Sequence, residues 1–189
     1  MPDNRGMTFA TLEELEADLD AIEASPRDEG VLELIVRRPA VGEREVLEEG
    51  QLDVALGLVG DTWSSRGARP KHGPHPDMQI NVMNSRVIAA VARDKSRWAL
   101  AGDQLFVDFD LSTENVPPGT RLAVGSAIIE VTAEPHTGCG KFINRFGVAA
   151  GKFVNSPVGR RLQLRGINAK VIRSGTLRVG DRVTKLPRR

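Results

Sequence analysis

The stretch RRLQLRGINAKVIRSGTLRVGDRVTKL, residues 160–186, decides the fold prediction. Apolar residues, many of them β-branched, recur between polar ones, and the run is interrupted at Gly166, Gly175 and Gly180. Short apolar and polar runs bounded by glycine are typical of strands joined by turns. The stretch therefore predicts three short strands at the C-terminal end of the chain.

The rest of the chain shows the same pattern of short strand-like runs. Further short strand patterns lie at residues 31–38, 42–49, 51–61, 78–84, 104–112 and 121–134. In QLFVDFDLS, residues 104–112, alternate apolar residues are expected to share one face: Leu105, Val107, Phe109 and Leu111. Many short strands with few short helices predict a mainly β domain that closes into a barrel. No strand–helix–strand rhythm is visible, so a parallel sheet is not expected.

The N-terminal segment has a different pattern, and residues 8–26 predict a helix. Thr11 and Glu14 form the T-x-x-E capping box that begins many helices. The apolar residues of this helix fall on one face: Leu12, Leu15, Leu19 and Ile22. We therefore divide the chain into a helical extension, 1–30, and a barrel domain, 31–186. The apolar stripe packs either on the barrel or on a second copy, so both a monomer and a homodimer fit the sequence.

Composition excludes several classes of function. The chain has 189 residues, with 26 Lys and Arg against 25 Asp and Glu, and a net charge of +1. A near-neutral chain without tyrosine is not expected to bind nucleic acid. From this sequence we expect neither a membrane-spanning segment nor a secretory leader. One cysteine excludes an internal disulfide, and this fits a cytoplasmic location.

The segment EPHTGCGKF, residues 134–142, holds that cysteine, Cys139. It directly precedes a predicted helical stretch, and both a helix N-terminus and the nearby Lys141 favour the thiolate. The thiolate is the form that attacks electrophiles and binds metals. Gly138 and Gly140 leave space for a large ligand beside the sulfur. The alternative is an inert, buried cysteine.

Two further interpretations of the cysteine use the histidines. His72 and His75 are spaced H-x-x-H, and His136 and Cys139 are spaced H-x-x-C, so together they could form a zinc site. A Cys–His–Asp triad, with His72 or His75 as the base, is another interpretation. The spacing alone selects neither.

A long polar loop, residues 62–77, carries cations suited to an anion. Arg66, Arg69 and Lys71 lie among glycines there, and guanidinium forks with main-chain amides bind anionic groups. The loop lacks the G-x-x-x-x-G-K-[ST] pattern of a P-loop. A solvated basic loop is the alternative interpretation.

Four stretches resemble one family, the MOSC domain, which is named for the C-terminal domain of molybdenum-cofactor sulfurases. GLVGD at 57–61 resembles the family's Gly-x-x-Gly-Asp turn, and GDQL at 102–105 resembles its Gly-Glu-Asn-Leu segment. Residues 117–142 resemble the segment leading to the family cysteine, and 165–183 resemble the closing strands. The likeness covers about residues 31–186 and is to the small stand-alone bacterial members. It implies a pyruvate-kinase-like β-barrel with short flanking helices.

The resemblance also implies a site. Cys139 matches the family cysteine, which ligates molybdenum of a bound molybdopterin cofactor or carries sulfur as a persulfide, and His136 and Lys141 would tune it. The residues implied to hold or orient this cofactor are Asp61, Trp63, Arg66, Arg69, Lys71, Asp103, Gln104 and Arg145. Trp63 stands where the family commonly has histidine, and Gly138 stands where many members have proline.

The implied activity is sulfur transfer or the reduction of N-hydroxylated compounds, with a sulfur-donor or electron-donor protein as partner. The chain has no aminotransferase-like domain, so no pyridoxal phosphate is expected. The alternative is a non-catalytic barrel that binds a small molecule or a protein, with a structural cysteine.

Overall fold

The structure, a computed structural model, describes residues 8–65 and 73–187. The strands of this part are β1 Glu29–Arg37, β2 Glu45–Leu47, β3 Glu49–Asp53, β4 Gly57–Leu58, β5 Ile80–Asn84, β6 Leu105–Asp108, β7 Arg121–Val124, β8 Ala127–Val131, β9 Ile167–Arg173, β10 Gly175–Arg178 and β11 Arg182–Lys185. The helices are α1 Leu12–Ala17, α2 Leu19–Glu23, α3 Ser85–Ala92, α4 Gly140–Asn155 and α5 Pro157–Arg161, with 3-10 helices at Pro76–Met78 and Lys95–Ala101. None of the helices in these ranges has the length and apolar character needed to cross a bilayer.

Seven strands close into a barrel. Their order is β11-β7-β8-β9-β5-β6-β1, and β1 pairs again with β11 to complete the ring. The closing pair is antiparallel, with Glu29 opposite Thr184 and Val31 opposite Arg182. β2 extends the sheet beyond β1, and β10, β3 and β4 form a separate three-stranded sheet. The prediction of a mainly β barrel is confirmed, and the quoted C-terminal stretch supplies β9, β10 and β11.

The barrel encloses one apolar core and carries a second outside. The predicted alternation is confirmed, because Leu105, Val107, Phe109 and Leu111 all lie in the interior core. Phe106 points the other way and is equally buried in a core formed with the helices. β6 is therefore covered on both faces.

One strand pair of the barrel is parallel. β5 and β6 are parallel neighbours, with Val82 opposite Leu105 and Asn84 opposite Val107. The crossover between them consists of α3 and the 3-10 helix Lys95–Ala101. The other strand pairs that the structure describes are antiparallel, so the barrel is mainly antiparallel with this one parallel pair.

The N-terminal helix is present but interrupted. Asp18 ends α1 and precedes α2, so the predicted helix over 8–26 becomes two short helices. The capping box is confirmed: the Glu14 amide donates to Thr11 Oγ1 at 3.2 Å, and the Thr11 amide donates to Glu14 Oε2 at 2.7 Å. Leu15 and Ile22 are buried in the same core as residues of α3 and α4.

The segment before α1 packs against a kink in α4. Gly147 interrupts that helix with φ 89° and ψ 165°. A β-carbon at Gly147 would lie 3.0 Å from both Cβ and Cγ of Phe9. Phe9 therefore occupies the space that glycine leaves, and the N-terminal segment is packed against the helix that follows Cys139.

Two leucines of α1 test whether this helix belongs to the cooperative core. Leu15 is completely buried, whereas the side chain of Leu12 is 37% exposed. We expect Leu15→Ala to lower the free energy of unfolding by about 2–5 kcal/mol, because it leaves a cavity. Leu12→Ala is the matched control and should change it by less than about 1 kcal/mol. Urea unfolding followed by circular dichroism measures both, and equally small effects would show that α1 unfolds independently.

Candidate functional site

Cys139 occupies the N-cap position of α4 and is exposed to solvent. Its side chain makes no capping hydrogen bond, yet the amides at the start of the helix lie near the sulfur. Burial raises the pKa of the thiol, but the amides of Phe142 and Lys141 and the charge of Arg165 outweigh this, so the pKa lies below its usual value. The predicted shift toward thiolate thus has a physical basis. Lys141 is exposed and contributes its amide, while a role for its ammonium group stays a prediction.

The two glycines beside the sulfur have different functions. Apart from its chain neighbours and its own helix backbone, no atom of the described residues lies within 4 Å of the place a β-carbon would take at Gly140, so that side is open in the described part of the chain. At Gly138 a β-carbon would be 2.9 Å from Val154 Cγ2 and from Asn155 Nδ2. The Gly138 amide donates to Asn155 Oδ1 at 3.0 Å, and Asn155 Nδ2 donates to the Gly138 oxygen at 3.1 Å. The expected space for a ligand is therefore found at Gly140, whereas Gly138 lets the loop pack on α4.

A buried ion pair lies beneath this loop. Asp103 is fully buried and accepts two hydrogen bonds from Arg165 Nη1, at 3.0 and 2.7 Å. The Arg165 guanidinium also stacks 4.9 Å from the ring of Phe142, in the first turn of α4. Arg165 therefore connects the carboxylate to the helix that begins at Cys139.

His136 adjoins the same carboxylate. Its Nδ1 lies 3.5 Å from Asp103 Oδ1, and its side chain is 13% exposed. The pKa of His136 is lowered to about 4, mainly by burial and next by the charge of Arg165; Asp103 raises it by less, and Arg38 lowers it slightly. At neutral pH the imidazole is therefore uncharged. Gly166, with φ 105°, lies beside it, since a β-carbon there would be 3.3 Å from Nδ1.

Two nitrogens of this cluster are buried without a hydrogen-bond partner among the residues that the structure describes. They are Nδ1 of His136 and Nε of Arg165. Buried polar atoms are normally satisfied, so these two mark a place where a bound group or water fits.

A second buried pair joins Arg38 and Asp61. Arg38 Nε and Nη2 each donate to the Asp61 carboxylate at 2.8 Å, and the Trp63 amide donates to it at 2.9 Å. Asp61 therefore holds Arg38 in place. Trp63 in turn donates from Nε1 to the His75 oxygen at 3.2 Å, which joins the two described ends of the segment 62–77.

Three consecutive main-chain oxygens at the end of the 3-10 helix Lys95–Ala101 each accept from a different arginine. The pairs are Arg145 with Leu100, Arg165 with Ala101 and Arg38 with Gly102, at 2.7, 3.1 and 2.9 Å. The last carbonyls of a helix lack partners within the helix, and cations satisfy them well. This arrangement brings the two buried pairs and Arg145 to one segment.

Gln104 has an internal role. Its Oε1 accepts from the Asn81 amide at 2.8 Å, and its Nε2 donates to the Gln79 oxygen at 3.3 Å. The buried amide side chain therefore joins β5 to the start of β6.

The described part of the chain does not place the remaining predicted residues at the site. Arg66, Arg69, Lys71 and His72 lie outside the described residues. His75 Nε2 lies 3.6 Å from Glu134. In residues 8–65 and 73–187, no group of three His, Cys, Asp or Glu side chains could hold a metal ion. The described part thus lends no support to the zinc interpretation.

The prediction from sequence missed Arg38 and Arg165. Both are buried although arginine is usually exposed, and each pairs with a carboxylate distant in sequence. One sequence signal could have pointed to Arg165, because it is the first residue of the family-like stretch 165–183.

The ion pair beneath the loop gives a stability test. Asp103→Asn leaves the charge of buried Arg165 uncompensated, so we expect the free energy of unfolding to fall by about 3–5 kcal/mol. The control is Glu49→Gln, which breaks the exposed pair with Arg178 and should change it by less than about 1 kcal/mol. Urea titrations of the three proteins measure this, and a small loss in Asp103→Asn would contradict the importance of the buried pair.

His136 gives a pH test. The unfolded chain binds a proton near pH 6.5, but the folded one binds it only near pH 4, so acid favours unfolding between these values. The contribution of His136 amounts to roughly 3 kcal/mol over this window, and it is fully present above pH 6.5. We expect His136→Gln to remove this part of the slope when unfolding is measured in urea at several pH values from 4 to 7. An unchanged slope would show that the imidazole is not held neutral.

Comparisons with known proteins agree with this fold. The family model described as "MOSC domain" matches residues 69–184, more than half of the chain. No curated protein sequence matches the chain.

Among solved structures, the YuaD protein from Bacillus subtilis has a TM-score of 0.59 at 16% identity, over 82% of this chain and 94% of that one. YiiM from Escherichia coli has a TM-score of 0.54 at 20% identity, over 84% of this chain and 71% of that one. A structure described as a hypothetical protein has a TM-score of 0.55 at 20% identity, over 89% of this chain and 72% of that one. At these identities the structures support the fold alone, while the family model covers the cysteine loop and the closing strands. The chain therefore belongs to the MOSC domain family.

Proposed function

We propose that this protein binds molybdenum cofactor and that the Cys139 sulfur is its ligand to the metal. The MOSC domain is associated with molybdenum-cofactor binding. The observation that carries the proposal is the exposed thiol at the N-terminus of α4, whose pKa is lowered by helix amides and Arg165 despite partial burial. A soft thiolate suits molybdenum.

The residues around the thiol fit such a group. The Gly140 side of the sulfur is open, and two buried nitrogens beneath the loop lack partners in the described part of the chain. The cofactor, when bound, would supply a metal that changes oxidation state and the remaining ligands of that metal. The chain would supply one thiolate, the neutral imidazole of His136 and the positive charge of Arg165.

The predicted cofactor-binding residues divide into two groups. Asp61, Asp103 and Gln104 are engaged by the protein itself, so we propose that they position Arg38, Arg165 and β5. The cations proposed to face the anionic part of the cofactor are Arg66, Arg69, Lys71 and Arg145. Trp63 is proposed to fix the start of the loop that carries three of them.

Sulfur transfer at the same atom is the second candidate. The openness of the thiol favours it, because a donor protein must reach the sulfur. The Cys139 thiolate would attack the outer sulfur of a donor persulfide, and the donor thiolate would leave. Reduction of N-hydroxylated compounds would instead need an electron-donor protein. A cytoplasmic location suits either partner and stays a prediction.

Metal content tests the main proposal. Protein made in a host that synthesises the cofactor is expected to carry stoichiometric molybdenum. Cys139→Ser should lower molybdenum retention by more than the roughly 10–100-fold typical of outer-shell changes. Thr137→Ala, an exposed change on the same loop, is the matched control and should keep the metal. Elemental analysis of the purified proteins gives the answer.

Other outcomes of these measurements would contradict the proposal. Zinc in place of molybdenum would contradict the main proposal. No molybdenum together with no added sulfur mass after incubation with a persulfide donor would contradict both candidates. The non-catalytic barrel with a structural cysteine would then be the better explanation. Added sulfur that depends on Cys139, without molybdenum, would support the sulfur carrier alone.

A further inference from the structure

Asn155 reaches the cysteine loop from the far end of α4. Gly138 and Asn155 are 17 residues apart in sequence, yet two hydrogen bonds join them, at 3.0 and 3.1 Å. A straight helix would separate them by about 25 Å, because each residue adds about 1.5 Å along the axis. The interruption of α4 at Gly147 therefore turns the second half of the helix, residues 148–155, back toward Cys139.

The two halves of α4 pack on one another. A β-carbon at Gly151 would lie 2.5 Å from Cγ1 and 3.0 Å from Cδ1 of Ile143, so a larger residue there would push the halves apart. The second half is also anchored in the core, because Phe153 and Val154 are buried. Asn155 thus extends toward the loop from a well-packed element.

The Asn155 side chain restrains two consecutive peptide units of the loop. The Gly138 N–H belongs to the unit before this residue, and the Gly138 oxygen belongs to the unit that contains the Cys139 N–H. Each unit is planar, so hydrogen bonds to the first N–H and the second oxygen fix the directions of both planes. Glycine has wider main-chain freedom than other residues, so the restraint acts where the loop would otherwise be most flexible.

An asparagine amide suits both main-chain groups at once. It offers an oxygen that accepts from an N–H and a nitrogen that donates to a carbonyl, whereas a carboxylate only accepts. A β-carbon at position 138 would lie 2.9 Å from Asn155 Nδ2, so this pair of hydrogen bonds also requires glycine there. The main-chain oxygen of Asn155 accepts from Nε of Arg160 at 3.2 Å, which links the same residue to α5.

The restraint extends to the sulfur. The nitrogen and the α-carbon of Cys139 lie in the second of the two peptide units that Asn155 holds. The amides of Cys139, Lys141 and Phe142 interact with the sulfur, so its position depends on the direction of this unit. We propose that Asn155 is a positioning residue, which holds Gly138 and thereby fixes the place and direction of the Cys139 sulfur. The group that the sulfur binds rests on the proposed function, but the restraint does not.

A spin label tests the restraint without molybdenum. The chain has one cysteine, so a thiol-reactive nitroxide attaches at Cys139 alone, and its electron paramagnetic resonance spectrum reports the motion of the loop. Asn155→Ala loses both hydrogen bonds, and we expect the rotational correlation time of the label to shorten by about twofold or more. Asn155→Asp keeps the acceptor but loses the donor, so it should also shorten this time, and it serves if the alanine variant fails to fold.

Ser156→Ala is the matched control at the same end of α4. Ser156 Oγ donates to the Phe153 oxygen at 2.8 Å and accepts from the Gly159 amide at 2.9 Å, and among the described residues it has no hydrogen bond to Gly138. This variant weakens the start of α5, so it should lower the midpoint of urea unfolding yet leave the label spectrum unchanged. Circular dichroism shows whether each variant is folded.

Molybdenum content of the unlabelled proteins connects the restraint to the metal. In a host that synthesises the cofactor, Asn155→Ala should retain about 10–100-fold less molybdenum than the unchanged chain, the effect typical of residues that orient a ligand. Ser156→Ala should retain the metal.

An unchanged label spectrum in the folded Asn155 variants, or an equal change in Ser156→Ala, would overturn the proposal. Full retention of molybdenum by Asn155→Ala would overturn it as well, because the sulfur would then not depend on the restraint. Faster label motion in the Asn155 variants of a chain that never carries molybdenum would support the positioning role and contradict the main proposed function.

Discussion

The ion pair between Arg165 and Asp103 is the contact on which the site depends. Asp103 is fully buried, and the guanidinium that neutralises it also binds the Ala101 oxygen and stacks on Phe142. One side chain thus fixes the segment before β6, the start of β9 and the first turn of α4. Because either partner alone would be an uncompensated buried charge, the three elements keep one relative arrangement. That arrangement places a positive charge near Cys139, and burial together with the same charge keeps His136 neutral.

The barrel and the helices contribute differently to the cysteine. Asp103 and Arg165 lie just before the barrel strands β6 and β9, which hold them together. The sulfur of Cys139 lies at the N-terminus of α4. Two contacts hold α4 against this frame: Asn155 clamps the main chain of Gly138, and Phe9 fills the kink at Gly147. In both cases a glycine permits an approach that a β-carbon would block. A proline at position 138, common in the family, has no main-chain N–H and could not donate this hydrogen bond to Asn155.

Local patterns carried much of the fold. The capping box at Thr11, the alternation from Leu105 onward and the glycine breaks after residue 160 each report on a few neighbouring residues, and all were confirmed. The features that local patterns did not reveal depend on distant partners. β5 pairs in parallel with β6, which follows it after a crossover of two helices. The carboxylates that pair with Arg38 and Arg165 lie 23 and 62 residues away in sequence. Cys139 could be selected because its helix N-terminus is local, but the charge that acts on it could not.

The arginines of the site have two separate functions, and their partners show which function each has. Arg38 and Arg165 are each paired with a buried carboxylate, so their charges are neutralised within the protein. Both side chains help to hold the segment around Gly102. Arg145 binds a carbonyl of the same segment, and in the described part of the chain no carboxylate neutralises it. A carbonyl orients a guanidinium but leaves its charge, so Arg145 remains able to attract an anion. The nearly neutral total of charged residues does not reveal this, because neutrality of the whole chain does not require a carboxylate beside Arg145.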